Sequence, residues 1–253
     1  VYGDNPMLYK GCELLADWLL NISAVEIDGR RVMPYTGAHA GCHMLNPYYH
    51  LYHTRMLGRL MMEYNPQLGE QLLSLCPSEP VIGHETAFYN GRDIWDFVVY
   101  KKYYNNKGIS PQLKSSKYTG YGFNLRSHVG EHDEMFVLLQ QIDDGQNYRW
   151  GRAAEGGCGV LHYMADGKSF SGVRKEDIGD DNFSDDMVGC NFSVLFDHTY
   201  KCVGRNDLTQ PLVDFEFVKY AMVNAGSYSD YEYKYRSVMM IDNRYIAMYD
   251  AVR

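Results

Sequence analysis

Residues 233–252 read YKYRSVMMIDNRYIAMYDAV. Two runs rich in Tyr, Val, Met and Ile flank the short polar stretch Asp242-Asn243-Arg244. β-branched and aromatic residues suit a pleated, half-buried surface, and Asp and Asn tolerate the conformations of tight turns. The stretch therefore reads as a β-hairpin. The same signature recurs upstream in MFVLLQQI (135–142), CGVLHYMA (158–165), NFSVLFDHTY (191–200) and FEFVKYAMV (215–223). DGKSFSG, beginning at Asp166, is a second tight hairpin connection. Six or more alternating strands joined by Asp, Gly and Asn turns imply an antiparallel sheet, and in that number a β-sandwich or a large part of one. The acidic run 174–189, RKEDIGDDNFSDDMVG, reads as a long surface loop.

Before Pro111 the pattern changes. Leu8, Cys12, Leu15, Trp18 and Leu19 follow a helical period within 7–21. Residues 24–34 read as two short extended pieces around Asp28-Gly29. A second helix is expected from Tyr48 to Tyr64, with Asn46 as cap and Pro47 in its first turn. A third is expected over Leu68–Leu75, and 91–107 reads as a fourth. Helices first and strands afterwards argue against an alternating α/β fold. The fold class expected is α+β and multidomain, with a helical domain over 1–115 and an antiparallel sheet domain over 116–253. The boundary falls in the Gly, Ser, Pro and Lys cluster between about 108 and 122.

Composition narrows the function. The chain has 253 residues, 45 % of them hydrophobic and 22 % charged, enough apolar surface for a core. Its net charge of −8 gives no support to a nucleic-acid partner. No apolar run is long enough to span a membrane as a helix. None of the six cysteines forms a CxxC pair, so zinc-type spacing is absent and buried free thiols are expected. No metal site or cofactor is assigned, a structural divalent cation being the one open alternative. Val1 is not an initiator Met, and a strand-like run reaches almost to Arg253, so a piece of a longer protein is expected.

Reactive side chains concentrate at 39–59. Tyr48, Tyr52 and Arg55 would share one face of the second helix, and Tyr49, His53 and Met56 another. Tyr, His, Asn and Arg together suit proton abstraction alpha to a carboxylate followed by elimination. Asn46 and Arg55 would stabilise the developing enediolate-like charge, while Tyr49 or His50 would move the protons. The plain alternative is that these rings pack between helices with their polar tips bonded. His39 and His43 are four apart but lack an HExxH context. A second rich region is 147–155, where Tyr148 and Trp150 would stack on sugar rings and Arg149 and Arg152 would pair with carboxylates. With Tyr52 and His53 these form the expected substrate-binding set. An ordinary hairpin with Trp150 in the core is the alternative there. The glycines do not form a nucleotide-binding loop. His162 lies inside a strand, and period 2 alone does not choose its face. His128 and His132 are weaker candidates, and Glu131, Asp133 and Glu134 read equally as an acidic surface. Asp197 and His198 are adjacent in a strand and so point to opposite faces.

The stretch 233–252 also resembles the pattern "Arg, aliphatic strand, turn, Tyr-aliphatic-aliphatic-x-Asp" in the sheet domain of heparinase II/III-like polysaccharide lyases, and NPYYHLYHTR (46–55) resembles their helical region. The resemblance implies an incomplete (α/α) toroid followed by a β-sandwich, with β-elimination on a uronate-containing acidic polysaccharide in a cleft between them. It also implies a secreted or periplasmic setting. One departure stands out. Many members carry a Gly-x-x-His-Ala-Asp-like loop before a sheet strand, whereas WGRAAEGGCGVLHY (150–163) has Ala153-Ala154-Glu155 and no His before the strand. A noncatalytic carbohydrate-binding or structural protein, or a glycoside hydrolase, are the competing functions. Oligomeric state is not legible.

Overall fold

A computed structural model describes residues 6–27, 30–31, 49–76, 109–141, 158–170, 210–224, 227–228 and 231–252. The expected helix at 91–107, the strand at 191–200, the acidic run at 174–189, and His39, His43, Asp197 and His198 lie outside them. The fold class is α+β, with three helices and two five-stranded antiparallel sheets among the described residues. The chain divides into two compact units, Val1–Ser23 with Pro47–Leu113, and Ala24–Asn46 with Lys114–Arg253.

In the first unit, α1 spans Pro6–Ile22, α2 Tyr49–Tyr64 and α3 Pro66–Ser74. In α1 the buried residues are Ala16 and then Leu19, Leu20, Asn21 and Ile22 at its C-terminal end. Leu8 and Leu15, which follow the same helical period, are exposed, because burial is confined to the last two turns of the helix. In α2 the buried stripe is Thr54, Leu57, Gly58 and Met61. Asn65 separates α2 from α3 and caps the latter: its side chain accepts from the Leu68 N–H at 3.3 Å, and Pro66 occupies the first helical position. Small residues let α2 and α3 approach closely. A Cβ on Gly69 would sit 2.8 Å from the Gly58 carbonyl oxygen and 2.7 Å from the Met62 nitrogen, both backbone atoms. The Tyr9 and Tyr64 rings lie 4.0 Å apart between centroids and join α1 to the end of α2. Cys12 and Cys76 are free thiols.

The second unit holds a short ladder of β1 (Glu26–Ile27) and β2 (Arg30–Arg31), and two larger sheets. The first sheet is an antiparallel meander of β3 (Ser116–Tyr118), β4 (Gly122–Ser127), β5 (Met135–Gln141), β6 (Cys158–Ala165) and β7 (Lys168–Ser169). Asp166 and Gly167, both with positive φ, close the β6–β7 hairpin expected at DGKSFSG. The second sheet comprises β8 (Val213–Asp214), β9 (Val218–Asn224), β10 (Ser227–Tyr228), β11 (Tyr231–Ile241) and β12 (Tyr245–Val252). The quoted hairpin is β11–β12, with Ile241 opposite Tyr245 and positive φ at Asp242 and Asn243. One apolar core is shared by the two sheets: Phe123, Leu125, Val137, Leu139 and Leu161 from the first meet Ala221, Val223, Val238 and Met240 from the second.

The sheets differ in their other faces. In β4 every residue is buried, and in β5 Phe136, Leu138 and Gln140 are as buried as their inward neighbours. The first sheet is therefore buried on both sides, which explains MFVLL as a continuous apolar run rather than an alternation. Its second face carries polar groups. Asn124, Leu138 and His162 lie in one row across β4, β5 and β6.

At the end of this sheet sits a buried ion-pair cluster. Glu134 accepts from Arg31 through both carboxylate oxygens, each at 2.9 Å, and from Arg126 at 3.0 Å. The Gly130 N–H adds a fourth bond at 2.9 Å. Arg31 also donates to the Ala24 carbonyl, and the Arg126 guanidinium lies over the Phe136 ring. Burial pulls Arg126 down to about 9 against the pull of Glu134, so it stays cationic at neutral pH. Removing one partner of such a set strands buried charge. Glu134→Gln keeps the shape and removes the anion, and is expected to cost about 3–5 kcal/mol; urea unfolding at pH 7 measures it.

His162 gives a pH dependence. It is 1 % exposed, neither ring nitrogen has a hydrogen-bond partner among the described residues, and burial pushes its pKa from 6.5 down to about 4. Between these values the unfolded chain binds a proton that the folded chain refuses. The stabilisation is complete above pH 6.5 and is lost as pH falls towards 4, by on the order of 3 kcal/mol. His162→Leu is expected to flatten this part of the stability profile, read from denaturant midpoints at pH 7 and 4.5.

Candidate functional site

The expected catalytic helix exists as α2, and its bounds set what can be placed. Tyr49, His50, Tyr52 and His53 lie in its N-terminal turns. Helical geometry puts 52 and 55 on one face and 49 and 53 on another. Arg55 is half-buried. Arg59, two turns along from Tyr52, is buried. Asn46, Tyr148, Arg149, Trp150 and Arg152 lie outside the described residues. Tyr49, His50, Tyr52, His53 and Arg55 thus belong to one helix.

Other residues weighed from sequence find definite places. His162 is sealed on the second face of the first sheet, and its depressed pKa keeps it neutral at physiological pH. Glu134 is no part of an acidic surface; it is the buried centre of the cluster with Arg31 and Arg126. The sequence signal for this was a carboxylate placed directly before the apolar run MFVLL, where a charge needs a partner. His132 projects into solvent. His128 has positive φ, and its Nδ1 lies 2.8 Å from the Asp133 carboxylate. Desolvation works to raise the Asp133 pKa, but the hydrogen bond from His128, a backbone hydrogen bond and the nearby His128 and His132 together outweigh it and hold it below the usual carboxylate value. The donor atoms of His128, Glu131 and Asp133 lie within 4.8 Å of one another. Among the described residues this open turn is where a divalent cation could find three protein ligands.

The Arg and Asp of the sequence pattern at 233–252 also acquire a physical role. Arg236 on β11 faces Asp250 on β12 across the ladder. The pair is bidentate, Nε to Oδ1 at 2.7 Å and the terminal nitrogen to Oδ2 at 2.9 Å. Arg236 is buried on the core side of the sheet, in register with Val238 and Met240. Fork-to-fork pairing of this kind fixes register as well as contributing energy. The signature locks a hairpin.

No protein-family model matches the chain, and no curated protein matches it. Solved structures do. A chain described as the heparinase III BT4657 gene product with methylated lysines aligns with 98 % of this chain at a TM-score of 0.58 and 14 % identity. A second structure of the heparinase III BT4657 gene product aligns with 96 % at a TM-score of 0.44 and 13 % identity, and covers 41 % of that chain. A heparan sulfate lyase HepC mutant from Pedobacter heparinus aligns with 85 % at a TM-score of 0.42 and 14 % identity, covering 39 % of that chain. This chain spans about a third of the length of the first, 32 %. At these identities the likeness is one of fold, and it extends across nearly the whole sequence.

Proposed function

We propose that this chain is part of a polysaccharide lyase that cleaves a uronate-containing acidic polysaccharide by β-elimination. The observation that carries the reading is the fold likeness to heparinase III over 98 % of the chain, at a TM-score of 0.58. In this reading the helices belong to an incomplete (α/α) toroid, 1–115, and the two sheets form a β-sandwich, 116–253. Asn46 and Arg55 neutralise the substrate carboxylate and the enediolate-like charge that builds as the alpha proton leaves. Tyr49 and His50 take that proton and return one to the leaving oxygen. Tyr52, His53, Tyr148, Arg149, Trp150 and Arg152 hold the sugars, the rings by stacking and the guanidinium groups by pairing with carboxylates. The substrate class implies work outside the cytoplasm, in a secreted or periplasmic setting. Among the described residues no helix is long and apolar enough to cross a membrane.

A second reading has one observation behind it. The loop before β6 lacks a His, and the nearest histidine in sequence, His162, is sealed and deprotonated at neutral pH. A chain that binds the polysaccharide without cleaving it fits that fact.

Incubation of the protein with a panel of uronate polysaccharides, followed by ultraviolet absorbance of unsaturated ends, separates the readings. The lyase gives unsaturated products, and His50→Ala or Tyr49→Phe lowers the rate by roughly 10²–10⁴-fold. Arg55→Ala lowers kcat by about 10²–10³-fold. Binding with no product across the panel removes the lyase reading in favour of the second, and saturated new ends would point to a hydrolase.

A further inference from the structure

The turn between β4 and β5, residues 128–134, is fastened from several sides. Its flanking residues, Ser127 and Met135, face each other in the ladder. The Glu131 N–H donates to the His128 carbonyl at 2.9 Å, and the Glu134 N–H to the Glu131 carbonyl at 3.2 Å. Beneath the turn, Glu134 is taken up by Arg31, Arg126 and the Gly130 N–H. The charge available to a cation is therefore that of Glu131 and Asp133. With the His128 ring they bring three donor atoms within 4.8 Å of one another, close to the spread that an ion with bonds of about 2.0–2.2 Å spans. The exposed His132 ring stands beside them, its Nδ1 3.9 Å from Asp133 Oδ1. A second observation singles out Asp133. Its Oδ2 meets His128 Nδ1 at 2.8 Å. Its Oδ1 is enclosed, although the side chain as a whole is 43 % exposed, and has no hydrogen-bond partner among the described residues. An enclosed carboxylate oxygen without a donor is costly, and a bound ion is one of the partners that account for such an atom.

We propose that the 128–133 turn binds a divalent first-row transition metal of the zinc type, held by His128, Glu131 and Asp133. The donor set chooses the ion. Calcium and magnesium are bound through oxygen, whereas an imidazole nitrogen with carboxylate oxygens suits zinc and its neighbours. Three protein ligands leave a position open, to be completed by water or by the neighbouring His132 imidazole. Coordination offsets the repulsion between the two carboxylates and gives Asp133 Oδ1 the partner it lacks. The backbone bonds and the Glu134 cluster already hold the turn, so little ordering has to accompany binding. The ion fastens from the solvent side a turn that Glu134 fastens from within. This site goes beyond the elimination reading and does not depend on it, since none of the residues assigned to catalysis or sugar binding takes part.

The test is isothermal titration calorimetry of the full 253-residue chain, stripped of metal with a chelator, against zinc chloride, calcium chloride and magnesium chloride. Zinc is expected to bind, and calcium and magnesium at least roughly tenfold more weakly. His128→Ala and Asp133→Asn should each weaken the zinc event at least roughly tenfold, the loss that even an outer-shell partner brings. Glu131 is exposed, so Glu131→Gln removes the third ligand without disturbing packing, and should weaken zinc in the same way. Cobalt(II) in place of zinc reports the donors directly: visible d–d bands without thiolate charge transfer are expected, and His128→Ala should remove them. Metal-free thermal midpoints equal to wild type separate ligand loss from misfolding; should His128→Ala or Asp133→Asn lower the midpoint, Glu131→Gln decides alone. The proposal is overturned by the absence of a zinc event or by a zinc event that the variants keep at unchanged affinity. Thiolate charge transfer on cobalt overturns it too, assigning the metal to cysteines elsewhere in the chain. Calcium binding more tightly than zinc overturns the choice of ion. The unsaturated-product assay reads none of these quantities, so failure here and failure of the lyase reading are told apart.

Discussion

A single carboxylate organises one end of the second unit. Glu134 gathers two guanidinium groups and a backbone amide where little water reaches, and each partner comes from a different part of the chain: Arg31 from β2, Arg126 from β4 and Gly130 from the turn before β5. An isolated buried charge would cost more than folding can offset. The cluster is therefore tolerable only when all the parts are assembled, which makes it a device for specifying the arrangement rather than a source of net stability. Its geometry fixes the approach of the 24–31 segment to the sheet and holds the 128–134 turn. The His128–Asp133 contact on that turn follows from this placement.

The two sheets then divide their labour. The first is buried on both faces, so its strands carry little freedom to present side chains to solvent. Polar groups in it, such as Asn124 and His162, are enclosed instead of displayed. The second shares its inner face with the first, and on its outer face Tyr245, Ala247 and Tyr249 of β12 are exposed. The aromatic excess of this chain, 23 tyrosines, finds one of its uses there, since tyrosine covers an exposed pleated face without the solubility penalty of phenylalanine.

Much of the secondary structure was legible because local signals agreed with one another. The β11–β12 and β6–β7 hairpins announced themselves through Asp, Asn and Gly between β-forming runs, and Pro66 after Asn65 marked the end of α2 and the start of α3. The helical period of α1 runs further than its burial. Leucines at 8, 15 and 19 satisfy a helical period, but Leu8 and Leu15 are exposed. Periodicity gives the stripe and not the length over which it is buried. The face of His162 was undecidable for a related reason: in a strand buried on both sides, alternation carries no information about solvent. The charge cluster was hidden because its partners are up to 103 residues apart, and only the oddity of Glu134 before MFVLL hinted at it.

The short pattern at 233–252 shows what such signatures can mean. Arg236 and Asp250 lie on neighbouring strands and close on each other through two hydrogen bonds in the core-side layer. Their side chains satisfy one another, so the recurrence of this spacing requires nothing of a substrate. A pair of this type is kept by the needs of register, since a one-residue slip of β12 would turn Asp250 to the opposite face and leave a buried guanidinium alone. Fold likeness can accordingly persist at 14 % identity. The hairpin's buried pair carries architecture, which is a requirement of the fold alone.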